Sequence, residues 1–363
     1  MRATCVAGHP TRAVRAPGRR LERVSGRVGV VGAGSWGTAV ASVLAHRAPT
    51  VLWARSPELA AAINATGVNE PYLSGVPLPS DLRATADVAE VAAGVAMVLV
   101  AVPSHGFRAV LEALAPHLSA DVAIVSLTKG IESQTNLRMS EIVHQVLPSN
   151  PAGVLTGPNL AREIAEGQPA ASVVALDDPS LAELAQDALH GATYRVYTSN
   201  DVVGCEVAGA VKNVIAVAAG MSDGLGFGEN TRAALITRGL AELGRIGTAL
   251  GGQPLTFGGL AGVGDLVATC TSPQSRNRSV GFAIGGGQPL AEVLSNMHMV
   301  AEGVRAAGPL VQLARGVGIE MPIAEQVAAI VEGTTGPLDA LVALMGRRAR
   351  AEWDEDLLRG LLS

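Results

Sequence analysis

Short apolar runs rich in Val, Ile and Leu recur along the first half of the chain, and segments with helical spacing separate them. The runs are RVGVV (27–31), TVLWA (50–54), VAMVLVAV (95–102), DVAIVSL (121–127), GVLTG (153–157), ASVVAL (171–176) and TYRVYT (193–198). They lack the polar alternation of a half-exposed sheet, so helices should cover both faces. This alternation of strand and helix predicts a doubly wound, mostly parallel α/β sheet.

The pattern changes at about residue 200, where the β-branched runs stop. The apolar spacing then predicts helices over 202–221, 230–250, 289–294, 300–316 and 321–332, with Gly-rich turns between them. A length of 363 residues is enough for two domains. We therefore predict a Rossmann-type dinucleotide-binding domain over 27–200 and an all-α substrate and catalytic domain over 201–363.

The positions of charged residues argue against a nucleic-acid partner and against a membrane span. Residues 1–27 contain seven Arg and a single acid, and the rest of the chain carries a net charge of −11. An acidic body argues against a nucleic-acid partner, because phosphate neutralisation needs a basic face. The apolar segment 202–221 resembles a membrane span, but Glu206 and Lys212 near its centre favour a buried helix and no span.

The basic N-terminus and the cysteines bear on location. Residues 1–26 are predicted to be a disordered extension or the product of a start codon placed too far upstream, with an organellar transit peptide as the alternative. The three cysteines have no paired spacing, which favours a reducing cytoplasm. The histidines are scattered, and no metal site is predicted.

A glycine-rich loop joins the first strand to a helix and reads Gly32-Ala-Gly34-Ser35-Trp36-Gly37. In such a loop, the first glycine makes the tight turn and the second lets backbone N–H groups approach a pyrophosphate. The third lets the helix pack on the strand, with its N-terminus facing the phosphates. The position between strand and helix predicts dinucleotide binding.

The second strand is followed by Arg55, where an NAD-selective enzyme usually has Asp or Glu for the ribose 2′-hydroxyl. A guanidinium suits a 2′-phosphate instead. The alternative is an ordinary solvated arginine at a strand end.

Only two of the 27 basic residues are lysines, Lys129 and Lys212. Lys129 follows an apolar strand, at the sheet edge where ligands bind in open α/β folds. Lys212 lies in the apolar helix, where small neighbours leave a slot for another element or a ligand. Burial and a nearby lysine would lower its pKa, which suits a proton donor to a carbonyl. The alternative is a snorkelling lysine, or one paired with a buried acid such as Glu206.

A third cluster lies at 256–279, TFGGLAGVGDLVATCTSPQSRNRSVG. Asp265 follows a Gly-rich turn at a predicted helix start, where it is either a functional carboxylate or the N-cap of the helix. Ser275, Arg276 and Asn277 offer a planar cation and neutral donors suited to a phosphate monoester. The alternative for these three is a polar loop between helices.

Ordered landmarks from about residue 28 to beyond 330 resemble the bacterial NAD(P)-dependent glycerol-3-phosphate dehydrogenase family. They are VGAGSWGTA, NEPYLSGVPLP, VPSHGFR, SLTKGIE, LTGPNLAREIA, EVAGAVKNVIAVAAGMSDGLGFGENTRAALITRGL, GLAGVGDLVATC, SRNRSVG and VAEGV. The resemblance implies Lys212 as the catalytic general acid and base. The substrate contacts that it implies are Lys129, Gly157, Asn159, Lys212, Asp265, Ser275, Arg276 and Asn277, with Asn213 and Thr269 as further positions. The cofactor contacts that it implies are Gly32, Gly34, Ser35, Trp36, Gly37, Arg55, Lys129, Ala161, Arg276, Val300 and Glu302.

The resemblance implies reversible reduction of dihydroxyacetone phosphate by NADPH or NADH to sn-glycerol 3-phosphate, for glycerophospholipid synthesis. Asn159 departs from the Ser or Thr common in the family, so its hydrogen bond can differ. Two alternatives are a dehydrogenase of a small hydroxy acid and a non-enzymatic dinucleotide-sensing regulator. The expected partner is a small phosphorylated substrate, and a homodimer stays open.

We predict that NADPH is used at least as well as NADH, because Arg55 can pair with a 2′-phosphate. Replacing the guanidinium by a methyl group in Arg55→Ala should lower kcat/KM for NADPH and leave that for NADH nearly unchanged. Steady-state assays with both dinucleotides test this, and a strong NADH preference in both proteins would contradict it.

Overall fold

The computed structural model of the protein describes residues 26–297 and 299–348. Its first part contains eight strands, one more than predicted. They are β1 Arg27–Val31, β2 Thr50–Trp53, β3 Arg83–Thr85, β4 Val95–Val100, β5 Ala123–Ser126, β6 Ala152–Thr156, β7 Ala170–Leu176 and β8 Tyr194–Ser199. The additional strand, β3, has only three residues and so forms no apolar run in the sequence.

The helices of the first part lie between these strands. They are α1 Ser35–Ala45, α2 Pro57–Thr66, α3 Glu70–Leu73, α4 Val88–Ala92, α5 Ser104–Leu114, α6 Met139–Val146, α7 Ala161–Ala165 and α8 Pro179–Leu189, with a 3₁₀ turn at Ala115–His117. Several begin at the expected signals. Ser56 and Asp178 accept backbone N–H bonds as N-caps, and a proline follows each at the first helical position.

The strands form a single sheet in the order β3-β2-β1-β4-β5-β6-β7-β8. Every neighbouring pair is parallel except β6 and β7, which are antiparallel. Helices α1, α2 and α8 pack on one face, against residues such as Val30, and α5 and α6 pack on the other, against residues such as Val31. The predicted doubly wound, mostly parallel sheet is confirmed.

The second part of the described chain is helical. It comprises α9 Val202–Gly224, α10 Glu229–Ala249, α11 Pro254–Phe257, a π-helical turn at Leu260–Gly264, α12 Asp265–Thr271, α13 Arg276–Gly285, α14 Leu290–Ser295, α15 Glu302–Gly316, α16 Pro322–Val331 and α17 Pro337–Met345. All five helices expected from apolar spacing are present. The spacing missed α11, α12, α13 and α17. The change from strands to helices falls between Ser199 and Val202, and the domain limits themselves stay predictions. The prediction for residues 1–26 lies outside the described part of the chain, except for Gly26.

Helix α9 is the centre of this helical part. It is long and apolar enough to cross a membrane by length and composition, but 89% of its most apolar window is buried inside the protein. The buried position agrees with the prediction for 202–221. Helices α10, α12, α13, α15 and α16 surround it.

Glycine allows α9 and α13 to approach until their backbones touch. A Cβ atom at Gly220 of α9 would lie 2.0 Å from the carbonyl oxygen of Arg278, and one at Gly281 of α13 would lie 2.0 Å from that of Val217. Gly224 and Gly285 repeat this arrangement one turn further on. The high glycine content is therefore used in part for helix packing, which brings the start of α13 close to α9.

A buried acid joins α10 to α16. The Glu242 carboxylate accepts hydrogen bonds from the backbone N–H groups of Ile323, at 2.7 Å, and Ala324, at 3.3 Å, at the N-terminus of α16. Burial raises the pKa of Glu242 from its ordinary value to about 7, even though the two N–H groups oppose the shift. The folded protein therefore favours the protonated carboxyl more than the unfolded chain does.

We predict that stability falls as this group ionises. A carboxyl with a raised folded-state pKa contributes its full stability at acidic pH, and the contribution is lost as pH rises toward 7. Relative to Glu242→Gln, the free energy of unfolding of the wild type should fall by roughly 1–3 kcal/mol between about pH 5 and about pH 8. Denaturant titrations measure this. The exposed Glu332→Gln is the control, and parallel pH curves for wild type and Glu242→Gln would refute the prediction.

Candidate active site

The glycine-rich loop lies between β1 and α1, as predicted. Gly32 has φ +117°, and a Cβ atom there would lie 2.6 Å from the carbonyl oxygen of Ala101. A Cβ atom at Gly37 would lie 1.9 Å from the carbonyl oxygen of Gly32. In contrast, a Cβ atom at Gly34 would meet no atom within 4 Å. Gly32 and Gly37 are thus required by the fold, whereas Gly34 borders open space in front of the α1 N-terminus.

Two further observations fit a dinucleotide at this loop. The Nε1 atom of Trp36 is buried and has no hydrogen-bond partner among the described residues. The first turn of α1 contains no acid that would repel phosphates. The loop is held from behind by the fully buried Asn69, whose Nδ2 donates to the carbonyl oxygen of Ala33, at 2.9 Å, and to Thr38 Oγ1, at 2.7 Å.

Residues 299–302 connect this loop to the helical part. Ser35 Oγ donates to the sulfur of Met299 at 3.2 Å, and Arg276 Nη1 donates to the carbonyl oxygen of Val300 at 3.0 Å. The Glu302 carboxylate accepts from both the backbone N–H and the hydroxyl of Ser104, at 2.9 and 2.6 Å. Ser35, Arg276, Val300 and Glu302 are therefore brought together, although they are far apart in the chain.

Two further expected cofactor residues, Arg55 and Ala161, lie outside the loop. Arg55 is exposed just beyond β2. Ala161 is the first residue of α7 and packs with Trp36 against a small cluster formed by Ala39, Leu73 and Val76.

The two lysines meet at one carboxylate. Lys129 lies three residues beyond β5, and its Nζ donates to Asp265 Oδ2 at 2.7 Å and to the carbonyl oxygen of Gly157 at 2.8 Å. Lys212 Nζ lies 3.1 Å from Asp265 Oδ1 and donates to Thr269 Oγ1 at 2.7 Å. The lysine side chains are 14% and 7% exposed, and that of Asp265 is 2% exposed. The Lys129 side chain lies against Gly209, in the slot predicted beside Lys212.

Burial and the neighbouring charges act in opposite directions on these groups. Burial is the largest influence on Lys212; Asp265 opposes it, Lys129 adds to it, and the pKa falls to about 8. Burial would raise the pKa of Asp265, but the attraction of Lys129 and Lys212 outweighs it, and the pKa is lowered. Asp265 therefore stays ionised at neutral pH, while Lys212 can gain or lose a proton near neutral pH.

Side-chain amides connect the rest of the predicted substrate side. Asn213 Nδ2 donates to the carbonyl oxygen of Lys129 at 2.8 Å, and Asn277 Nδ2 donates to Asn213 Oδ1 at 2.8 Å. The backbone N–H of Gly303 donates to Asn277 Oδ1 at 2.9 Å. Asn277 thus links α13, α9 and α15. Asn159 lies two residues beyond Gly157, in the turn before α7.

Of the alternatives from the sequence, one holds in part and two are wrong. Both lysines do pair with a buried acid, but that acid is Asp265. Glu206 instead accepts from Arg138 Nη1 at 2.8 Å and from the backbone N–H of Ser140 at 2.7 Å. Asp265 is not an N-cap, because it is the first residue of α12 and its carboxylate faces the lysines. Ser275 to Asn277 do not form a loop, because Ser275 caps α13 and the next two residues begin it.

Several residues near the site were not found from the sequence. Asn69 and Ser104 fall inside the landmark segments NEPYLSGVPLP and VPSHGFR, but their contacts carry no local signal. Ser172 and Tyr194 lie in strands outside any motif; Ser172 contacts Asn159, and Tyr194 contacts Ser172. Among the described residues, no group of three or more His, Cys, Asp or Glu could hold a metal ion.

Comparison with known proteins gives the family. The profile of the NAD-dependent glycerol-3-phosphate dehydrogenase N-terminus matches residues 27–182, and that of its C-terminus matches residues 201–342. The chain belongs to this family. It is 51% identical to glycerol-3-phosphate dehydrogenase [NAD(P)+] 2 of Sphingopyxis alaskensis, over 88% of this chain and 96% of that protein. It is 52% identical to the Mycobacterium avium glycerol-3-phosphate dehydrogenase [NAD(P)+], over 84% and 90%.

A solved structure agrees with the fold of this family member. The crystal structure of glycerol-3-phosphate dehydrogenase from Coxiella burnetii has a TM-score of 0.85 and 39% sequence identity, and the match covers 89% of this chain and 99% of that one. The predicted family is confirmed. The roles of individual residues in this glycerol-3-phosphate dehydrogenase family member stay predictions.

The glycine loop gives a paired prediction for this family member. Gly34→Ala should leave the melting temperature nearly unchanged and weaken NADPH binding at least about tenfold, because its methyl group enters open space in front of the helix. Gly37→Ala should lower the melting temperature, because its methyl group overlaps backbone. Thermal melts and fluorescence titrations with NADPH measure both. A Gly34→Ala variant that melts early but binds normally would contradict the assignment.

Proposed function

We propose that this chain catalyses the reversible NAD(P)H-dependent reduction of dihydroxyacetone phosphate to sn-glycerol 3-phosphate, which supplies glycerophospholipid synthesis. The observation that carries the proposal is the buried Lys129–Asp265–Lys212 cluster, which lies beyond the carboxyl end of β5 and against α9. Family membership and the identity to relatives named for this activity support it.

The residues of the glycine loop, Arg55, Ala161 and the segment Val300 to Glu302 would hold the dinucleotide. When bound, the dinucleotide supplies the hydride. The chain's own residues bind the phosphorylated substrate, exclude water and move the proton. Arg276 and Ser275, at the N-terminus of α13, suit the substrate phosphate because a guanidinium and helix N–H groups favour an anion. Binding energy from this non-reacting phosphate orients the carbonyl.

Lys212 is the group that we assign to proton transfer. Its Nζ carries a proton that it can release near neutral pH, and it gives this proton to the substrate oxygen as the carbonyl is reduced. In the reverse direction, the neutral amine takes the proton from the hydroxyl. Asp265 holds Lys212 and Lys129 in place, and Thr269 fixes the Lys212 ammonium from the opposite helix.

Location and assembly belong to the same proposal. We place the enzyme in the cytoplasm, and the buried free thiols of Cys205 and Cys270 are compatible with a reducing compartment. Sedimentation of the purified protein tests whether it forms a homodimer.

Substrate assays test the proposed function. Oxidation of NADPH and NADH is followed with dihydroxyacetone phosphate, with unphosphorylated 2-keto acids and without substrate. Turnover should require dihydroxyacetone phosphate. Preference for a keto acid would support a hydroxy-acid dehydrogenase, and dinucleotide binding without any turnover would support a sensing regulator.

We predict that Lys212→Met lowers kcat by about 10²–10⁴, with NADPH affinity retained, because the proton donor is lost. Lys212→Arg is the matched control, since it keeps the positive charge but cannot titrate, and it should also be slow. In the wild type, kcat/KM for reduction should fall as pH rises through about 8, and that for oxidation should rise. Wild-type turnover in Lys212→Met would remove the assignment.

A further inference from the structure

A chain of three hydrogen-bonding side chains ends at the substrate side of the sheet. Tyr194 at the start of β8 lies with its hydroxyl 2.5 Å from Ser172 Oγ, and Ser172 Oγ donates to Asn159 Oδ1 at 2.5 Å. Ser172 lies on β7, between the other two residues. Tyr194 and Ser172 are 3% and 0% exposed. The chain therefore runs through the protein interior to the turn that also contains Gly157.

The Asn159 amide oxygen sets the direction of both bonds in this chain. An amide oxygen only accepts, so the single hydroxyl proton of Ser172 points to Asn159 Oδ1. The Tyr194 hydroxyl has Ser172 Oγ as its hydrogen-bond partner among the described residues, and since the Ser172 proton is already used, Ser172 Oγ accepts from that hydroxyl. Burial raises the pKa of Tyr194, so the phenol keeps the proton that it donates.

In this arrangement the Asn159 amide presents its oxygen to Ser172 in the protein interior. Its Nδ2 is then left as a buried donor with no hydrogen-bond partner in the described part of the chain. A buried donor without a partner is unfavourable and is normally satisfied by a ligand or by water.

The unpaired donor belongs to the same turn as a contact of the lysine cluster. Asn159 lies two residues beyond Gly157, whose carbonyl oxygen accepts a hydrogen bond from Lys129 Nζ. Immediately before Gly157, the hydroxyl of Thr156 is also buried without a partner among the described residues, and it faces the same slot at Gly209 that Lys129 lies against. Two unsatisfied polar groups therefore flank the glycine at the end of β6.

We propose that Tyr194 and Ser172 are positioning residues, which hold the Asn159 amide so that Nδ2 donates to an acceptor oxygen of the phosphorylated substrate. This inference rests on the proposed function. Asn159 Nδ2 is then a neutral hydrogen-bond donor, which adds no further positive charge beside Lys129 and Lys212. The amide can act in this way only while its oxygen is held by Ser172.

The test is a double-mutant cycle on KM for dihydroxyacetone phosphate. Tyr194→Phe removes one hydroxyl and should raise this KM about fivefold, because the amide can then rotate, whereas Asn159→Ala should raise it about tenfold or more. KM for NADPH should change little in either variant. In Tyr194→Phe/Asn159→Ala, the tyrosine substitution should add no further loss, because the group through which it acts is absent.

The chain offers a matched control and a second variant. Tyr197→Phe alters an exposed tyrosine of the same strand and should leave KM unchanged. Ser172→Ala serves in the same cycle if Tyr194→Phe does not fold. If Tyr194→Phe raised KM for dihydroxyacetone phosphate by the same factor in the wild type and in Asn159→Ala, the positioning role would be overturned. Normal wild-type turnover with KM unaffected by Asn159→Ala would overturn this inference alone, and absence of wild-type turnover would overturn the proposed function as well.

Discussion

The site depends on one carboxylate that bridges two buried ammonium groups. Asp265 keeps Lys129 and Lys212 close together where their repulsion alone would separate them, and the three groups leave a net positive charge of one. In an acidic body, this cluster and Arg276 supply the local positive charge that a phosphorylated substrate requires. The same balance of burial, attraction and repulsion brings the pKa of Lys212 to about 8.

The surrounding helices fix the positions of these three groups. Lys212 lies in α9, which is buried along nearly its whole length, and Asp265 begins a helix that packs against it. The glycines of α9 and α13 let these two helices approach closely, and this brings Ser275, Arg276 and Asn277, at the start of α13, close to α9. The amides of Asn213 and Asn277 and the carboxylate of Glu302 then join this helical frame to the loops after β4 and β5. These hydrogen bonds therefore join the residues predicted for cofactor binding to those predicted for substrate binding.

Strong local patterns predicted most of the fold. Seven strands and five helices followed from apolar spacing, and the glycine loop predicted the tight turn at Gly32. The misses have physical reasons. The strand β3 is too short to show a period, and α13 contains glycines and polar residues that weaken any helical signal. The resemblance to a family named the site residues, while the scarcity of lysine drew attention to two of them on composition alone.

The sequence by itself determined the alternation of strands and helices, the glycine-rich loop and the two lysines, because each depends on neighbouring residues or on composition. Only the tertiary structure decided which acid meets the lysines. Glu206 shares a helix with Lys212, but it binds Arg138, while Asp265 reaches Lys129 across 136 positions of the chain. The orientation of the Asn159 amide likewise depends on Ser172 and Tyr194 in other strands. Such contacts are set by the packing of distant elements, and no local pattern records them.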